Sequence, residues 1–258
     1  SLEYRVGKSN ADEPIAQGAN LFAGVCINLV RNPRWGRTQE SYGEDPFLLG
    51  EFGKALTVSV QEEGVIACVK HFALNSMEDL RFYVDVHIDD RALHEVYLPH
   101  FKKCVDAGAQ SVMGAYNRYE EYHCCESKKL LTDILRREWG FDGFVMSDFV
   151  WGVYDAEHSL RAGLDLEMMF TMKYSEGNIR KCLKKGLLNE EHIDRAVDNI
   201  LRALLRMEPK IKKRPMSVVR SKEHRALALE AAEKGMVLLE NNGVLPLNKD
   251  KIKTIAVI

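Results

Sequence analysis

No run of apolar residues in this sequence is long enough to cross a bilayer as a helix, which takes about 20. Charge of one sign is missing as well: 36 Lys and Arg stand against 38 Asp and Glu, for a net charge of -2. That balance removes the basic footprint of a nucleic-acid binder and any polybasic attraction to a membrane surface, so neither partner is expected. The opening Ser1-Leu2-Glu3-Tyr4-Arg5 has no apolar signal core. The six cysteines, Cys26, Cys68, Cys104, Cys124, Cys125 and Cys182, contain no Cys-x-x-Cys pair, and the first three sit inside apolar runs. Buried free thiols are expected in place of a disulfide framework or a zinc site. A reducing compartment such as the cytoplasm is favoured on that ground, with a periplasmic or secreted location left open. His87, His94, His100 and His123 are scattered, so neither a metal nor a cofactor is expected. Internal repeats and low-complexity tracts are absent.

What is present is ample core material: 258 residues, 46% hydrophobic, enough for one large domain or a domain plus part of another. Apolar β-rich runs alternate with helical patterns. Strands are expected over 21–30, 65–69, 110–115, 143–146 and 163–166, with a short extended piece over 84–88. Asp45-Pro46 reads as a helix start, Asp as cap and Pro in the first turn, followed by a stripe of Phe47, Leu48, Phe52, Leu56 and Val60. Further helices are expected over 91–107, with Leu93, Val96, Tyr97, Phe101 and Cys104 inward, from a Ser127 cap to Gly140, and after Ser175 and Asn189. The last carries Ile193, Val197, Ile200, Leu201 and Leu204. Strands alternating with helices predict an α/β fold on a parallel sheet. A basic stretch holding Pro209 and Pro215 reads as a linker. A helix over 222–234 follows, and the final residues, 254–258, read as a strand.

Polar groups follow several of these strands. Lys70-His71 closes one, Tyr116-Asn117 another and Ser147-Asp148 a third. In a closed (β/α) barrel those ends converge on one mouth, where active sites lie. A carboxylate there can attack an anomeric carbon, while Lys, Arg and His donors bind sugar hydroxyls. Each residue also has a structural reading: Lys70 as a surface lysine, His71 and Tyr116 as bonded core groups, Asp148 as a helix cap. Lys70 at a strand end is also compatible with Schiff-base chemistry. Asp165 and Glu167 read as structural.

Longer motifs add to this. Asn32-Pro33-Arg34-Trp35-Gly36-Arg37 with Glu40-Ser41-Tyr42-Gly43-Glu44-Asp45-Pro46, then Lys70-His71-Phe72, Val112-Met113-Gly114-Ala115-Tyr116-Asn117 and Trp139-Gly140-Phe141-Asp142-Gly143-Phe144-Val145-Met146-Ser147-Asp148, come in one order along the chain. Together they resemble the catalytic barrel of glycoside hydrolase family 3. The resemblance implies a (β/α)8 TIM-type barrel and a retaining exo-β-glycosidase acting on a β-linked glucoside or short oligosaccharide. It implies Asp148 as the nucleophile, Arg37, Lys70, His71 and Arg81 as sugar-binding residues, and Tyr116 beside the nucleophile. With those cations around it, Asp148 is expected to stay ionised to below ~3.9.

The departures shape the expectation. The family's early strand with a sugar-binding aspartate has no match here, so a barrel incomplete on its N-terminal side is expected over 1–208. A linker and connecting helix should occupy 209–250, and 251–258 should begin a truncated second α/β domain. The family's acid/base glutamate lies in that second domain. Phe149 stands where other members carry Trp directly after the nucleophile. Lys70-His71-Phe72 continues as Ala73-Leu74-Asn75, unlike the Pro-Gly-His stretch of N-acetylglucosaminidases. A β-glucosidase is therefore expected, with a β-xylosidase-like enzyme or an inactive sugar-binding fragment as the alternatives.

Overall fold

The computed structural model describes residues 1–256. Four parallel strands, β1 (Leu21–Cys26), β2 (Ile66–Phe72), β4 (Ser111–Gly114) and β7 (Phe144–Met146), form a sheet in the order β1-β2-β4-β7. A separate small sheet joins β3 (Asp85–Val86) to the hairpin β5 (Arg118–Tyr119) and β6 (Tyr122–His123). The expected strand over 163–166 is reduced to one parallel bridge, Met146 to Leu166. The α/β class with a parallel sheet is as expected. An eight-stranded closure is not formed among the described residues.

Each strand-to-strand crossover carries helix. Asp45 caps α2 (Pro46–Glu62), its carboxylate accepting the Phe47 N–H at 2.9 Å, as the sequence predicts. The stripe is rotated from the expectation: Phe47 and Leu48 are exposed, while Leu49, Gly53, Leu56, Thr57 and Val60 are buried. The helix expected over 91–107 is broken instead. A short turn, α3 (Asp90–Ala92), widens into π-type turns to Tyr97, and Pro99 restarts the chain as α4 (Pro99–Asp106). The next helix, Lys129–Glu138, is also π-wound, and Ser127 Oγ accepts the Leu130 N–H at 3.3 Å.

One sheet face, with Val25, Ala67, Val69, Val112 and Val145, packs under these helices. The other, with Ile66, Cys68, Met113, Phe144 and Met146, is covered by the end of a later helix, since an apolar strand face must be buried on something. Before it come α5 (Ala156–Ala162) and α6 (Glu176–Lys184), and the covering helix is α7 (Glu190–Met207). Its buried positions are Ala196, Asn199, Ala203 and Met207, while Val197 and Leu201, from the apolar set read in the sequence, are half exposed.

An N-terminal helix that the periodicity does not announce, α1 (Leu2–Ala16), lies on α2. The following basic segment folds back onto it: Arg214 pairs with Asp12 and Glu63, and His224 with Glu13. That pairing leads into α8 (Lys222–Gly235). Residues 254–256 are not in a strand, and the remaining two residues of the expected terminal strand lie outside the described residues. The five cysteines from Cys26 to Cys125 are buried free thiols, and Cys182 is partly buried and free.

The approach of α2 to β1 and α4 depends on Gly53. A methyl group there would sit 2.9 Å from both Cys104 Sγ and Ile27 Cγ2. Gly53→Ala is expected to destabilise the fold by about 1–3 kcal/mol, the usual range for overpacking. Urea melts check this, and an unchanged midpoint would contradict it.

Candidate active site

The C-terminal ends of β1, β2, β4 and β7 deliver the site. Past β1, Asn28 is 1% exposed and acts as a side-chain substitute for a strand partner. Its Nδ2 donates to the His71 carbonyl at 2.8 Å, and its Oδ1 accepts the His71 N–H at 2.8 Å. The same Oδ1 lies 2.9 Å from His71 Nδ1. His71, at the end of β2, is 1% exposed, and burial, then the charges of Arg37, Lys70 and Arg81, push its pKa well below the usual histidine value. The ring is therefore neutral. Nδ1 carries the proton and donates to Asn28, which leaves Nε2 to accept Arg37 Nη1–H at 2.9 Å.

Arg37 is held from its other edge by a fork onto Glu40, Nε to Oε1 at 2.8 Å and Nη2 to Oε2 at 2.7 Å. Burial opposes its charge, but the Glu40 bonds prevail and raise its pKa, while the Arg37 bonds pull Glu40 below the usual carboxylate range. Arg81 is anchored by Glu78 at 2.6 Å and sits over two rings, 4.6 Å from the Tyr116 centroid and 4.9 Å from that of Phe82. Tyr116, after β4, donates its hydroxyl to the Phe149 carbonyl. Lys70 is half-buried on β2 and makes no side-chain hydrogen bond among the described residues; its charge acts on His71 and Cys26.

Asp148 follows β7 and is 7% exposed. Its Oδ1 accepts the Phe149 N–H at 2.7 Å. Its Oδ2 has no hydrogen-bond partner among the described residues. His71 Nε2 lies 3.6 Å away, too far for a hydrogen bond, and the neutral ring makes no ion pair with it. The strand beneath is pinned by Asp165, whose Oδ2 accepts the Val145 N–H at 2.8 Å and meets Arg136 at 2.5 Å. Ser147 N–H bonds the Leu166 carbonyl at 2.9 Å, and Ser147 Oγ accepts the Met168 N–H at 2.9 Å. Glu167 spends both oxygens on the backbone N–H groups of Lys173 and Tyr174. Asp165 and Glu167 thus do the structural work expected of them.

The structure therefore brings Arg37, His71, Arg81 and Tyr116 around Asp148, with Lys70 beside His71. Sequence reading missed Asn28, Glu40 and Glu78, the residues that orient these groups. It also had the sign of the Asp148 shift reversed. Burial raises its pKa above the usual aspartate value, and the Phe149 N–H, Arg37, Tyr116 and Arg81 offset this only in part.

A buried carboxylate with one free oxygen and cationic donors on its flank can serve as a nucleophile or bind a hydroxylated ligand. Comparison with known proteins places the chain in a family. Residues 2–203 match the Glycosyl hydrolase family 3 N terminal domain. The sequence is 40% identical over 260 residues to thermostable beta-glucosidase B of Acetivibrio thermocellus, covering 100% of this chain and 34% of that protein. The fold superposes on beta-glucosidase 3B of Thermotoga neapolitana in complex with glucose with a TM-score of 0.88 at 38% identity, covering 96% of this chain and 36% of that one. For the beta-glucosidase of Kluyveromyces marxianus in complex with glucose the TM-score is 0.90 at 35% identity, covering 96% and 31%. The chain thus spans about a third of the length of the relatives it matches.

The raised Asp148 pKa has a consequence for stability. Between the ordinary aspartate value and the raised one, the folded protein holds the Asp148 proton more tightly than the unfolded chain. Stability therefore falls as pH rises through that window. Asp148→Asn, which stays neutral, is expected to melt at a higher temperature than the parent at pH 7, with the gap closing as pH falls towards ~3.9. An Asn variant that melts at or below the parent at pH 7 would contradict this.

Proposed function

The chain belongs to glycosyl hydrolase family 3, and from that premise we propose that the protein carrying it is a retaining exo-β-glycosidase that removes terminal β-D-glucosyl residues. The observation that carries the reading is the free Oδ2 of Asp148, buried and flanked by Arg37, His71 and Tyr116. The beta-glucosidase names of the relatives and the glucose in two of the similar structures support a glucoside as substrate.

In this reading Asp148 Oδ2 attacks the anomeric carbon, and the bond from that carbon to the leaving oxygen breaks. The leaving oxygen takes a proton from a general acid, and a glycosyl-enzyme remains. The conjugate base then deprotonates a water, which displaces the carboxylate. Arg37, Lys70 and Arg81 donate to sugar hydroxyls. The neutral His71 holds Arg37 in place and adds no second charge. Tyr116 fixes the nucleophile's loop through the Phe149 carbonyl.

The acid is a separate matter. It must lie about 5–5.5 Å from the nucleophile in a retaining enzyme. Glu40 is bound to Arg37 and more acidic than usual, Glu78 is paired with Arg81, and Asp165 and Glu167 are spent on structure. We assign the proton donor to a glutamate of a second α/β domain beyond these residues. The four parallel strands are then an arc of a (β/α)8 barrel over 1–208, followed by a connecting region over 209–250 and the start of the second domain at 251.

In the protein that carries this chain, Asp148→Gly should lower kcat/KM for 4-nitrophenyl β-D-glucoside by about 10³-fold or more. Azide should restore turnover and yield the α-glucosyl azide, because only one displacement is left. A variant retaining a large share of parental activity, or a β-configured azide product, would contradict the assignment.

A further inference from the structure

Beside the nucleophile's loop lies a cavity of about 340 Å³ lined by Phe82, Tyr83, Arg118, Trp151 and Tyr154. The glycone chemistry above uses none of these side chains directly. Two contacts tie the cavity to the site. The Phe82 ring packs on Tyr116 with centroids 4.7 Å apart. The Trp151 backbone N–H donates to the Phe149 carbonyl at 2.8 Å, the same oxygen that accepts the Tyr116 hydroxyl. The cavity is thus one ring away from the group that holds the Asp148 loop.

We infer that this cavity receives the leaving group of the glycoside and selects an aromatic aglycone that bears a carboxylate. The inference rests on the glycosidase reading above. Aromatic walls favour a flat apolar partner. An apolar cavity of about 150 Å³ already holds benzene, so this one accommodates a substituted ring.

Arg118 supplies the charge. Its Nε donates to His123 Nε2 at 3.2 Å, and His123 Nδ1 lies 3.1 Å from the Tyr116 carbonyl. His123 in turn stacks on Tyr154 with centroids 3.5 Å apart, so one imidazole orients both the cation and a wall. Asp85, opposite Arg118 in the small sheet, is taken by His87 and by the Glu121 N–H, and Arg118 makes no ion pair among the described residues. Its remaining N–H groups are free for a ligand anion. A carboxylate can accept a pair of charge-assisted N–H bonds from those terminal nitrogens, whereas a sugar hydroxyl brings no charge to pair with the guanidinium.

The test uses the full-length protein and three substrates: phenyl β-D-glucoside, 4-carboxyphenyl β-D-glucoside and β-D-glucosyl fluoride. The ratio of kcat/KM for the carboxyphenyl to the phenyl glucoside should fall about tenfold in Arg118→Met, the size expected for a lost charge-assisted hydrogen bond. Arg118→Lys, which keeps the charge, should recover part of it. Because the ratio is internal to each variant, a general loss of folding or catalysis does not move it. A ratio equal in parent and Arg118→Met overturns the inference while leaving the glycosidase reading standing. The fluoride has no aglycone to place. Failure of the parent to hydrolyse it would overturn the glycosidase reading, and this inference with it.

Discussion

A neutral imidazole held between an amide and a guanidinium organises this site. Asn28 Oδ1 accepts a hydrogen bond from His71 Nδ1–H, and Arg37 Nη1–H donates one to His71 Nε2. Were the ring charged, both nitrogens would donate, Arg37 would lose its acceptor, and two cations would face each other in a buried space. Burial makes the neutral form the stable one. The Arg37 fork is then fixed on one side by the ring and on the other by Glu40. One desolvated histidine thereby decides where positive charge stands relative to Asp148.

The carboxylate itself sits under competing effects. Burial disfavours its charge and leaves one oxygen without a partner, while Arg37, Arg81 and the Phe149 N–H favour the anion without winning. A buried oxygen with unsatisfied lone pairs is poor construction for a core and good construction for attack on an electrophile. The surrounding structure holds it there. Asp165, tied to Arg136 and to the Val145 N–H, locks the strand below, and Ser147 bonds on both sides to the segment at Leu166 and Met168. Those ties make the position of Asp148 a property of the sheet.

Much of the architecture is local and was readable from the sequence. The Asp45-Pro46 helix start, the apolar runs of β1, β2, β4 and β7, and the Ser127 cap all depend on neighbours in the chain. What failed needed tertiary information. The Gly7, Ser9, Asn10 and Pro14 of α1 dilute its periodicity, because its buried stripe of Gly7, Ala11 and Ile15 is chosen for close approach to α2 and little for apolar area. The helix over 91–107 broke where Pro99 removes an N–H and the preceding turn widens. On α7, the large apolar residues are offset from the packed side, where small residues, Ala196 and Ala203, sit. For the site, the residues at the strand ends were legible from motif order. Their partners were not, since Asn28 meets His71 across 43 residues of chain. The sign of the Asp148 shift was misread for the same reason: cations can be counted in a sequence, and desolvation cannot.

The central claim is that Asp148 is the group that bonds to the sugar. Its most direct measurement is to trap the intermediate in the full-length protein with a 2-deoxy-2-fluoro-β-D-glucoside carrying a good leaving group, digest, and locate the label by mass spectrometry. The account predicts one fluoroglucosyl group per chain, on the Met146-Ser147-Asp148 peptide at Asp148. A label on Glu40, Glu78 or any other carboxylate would contradict it.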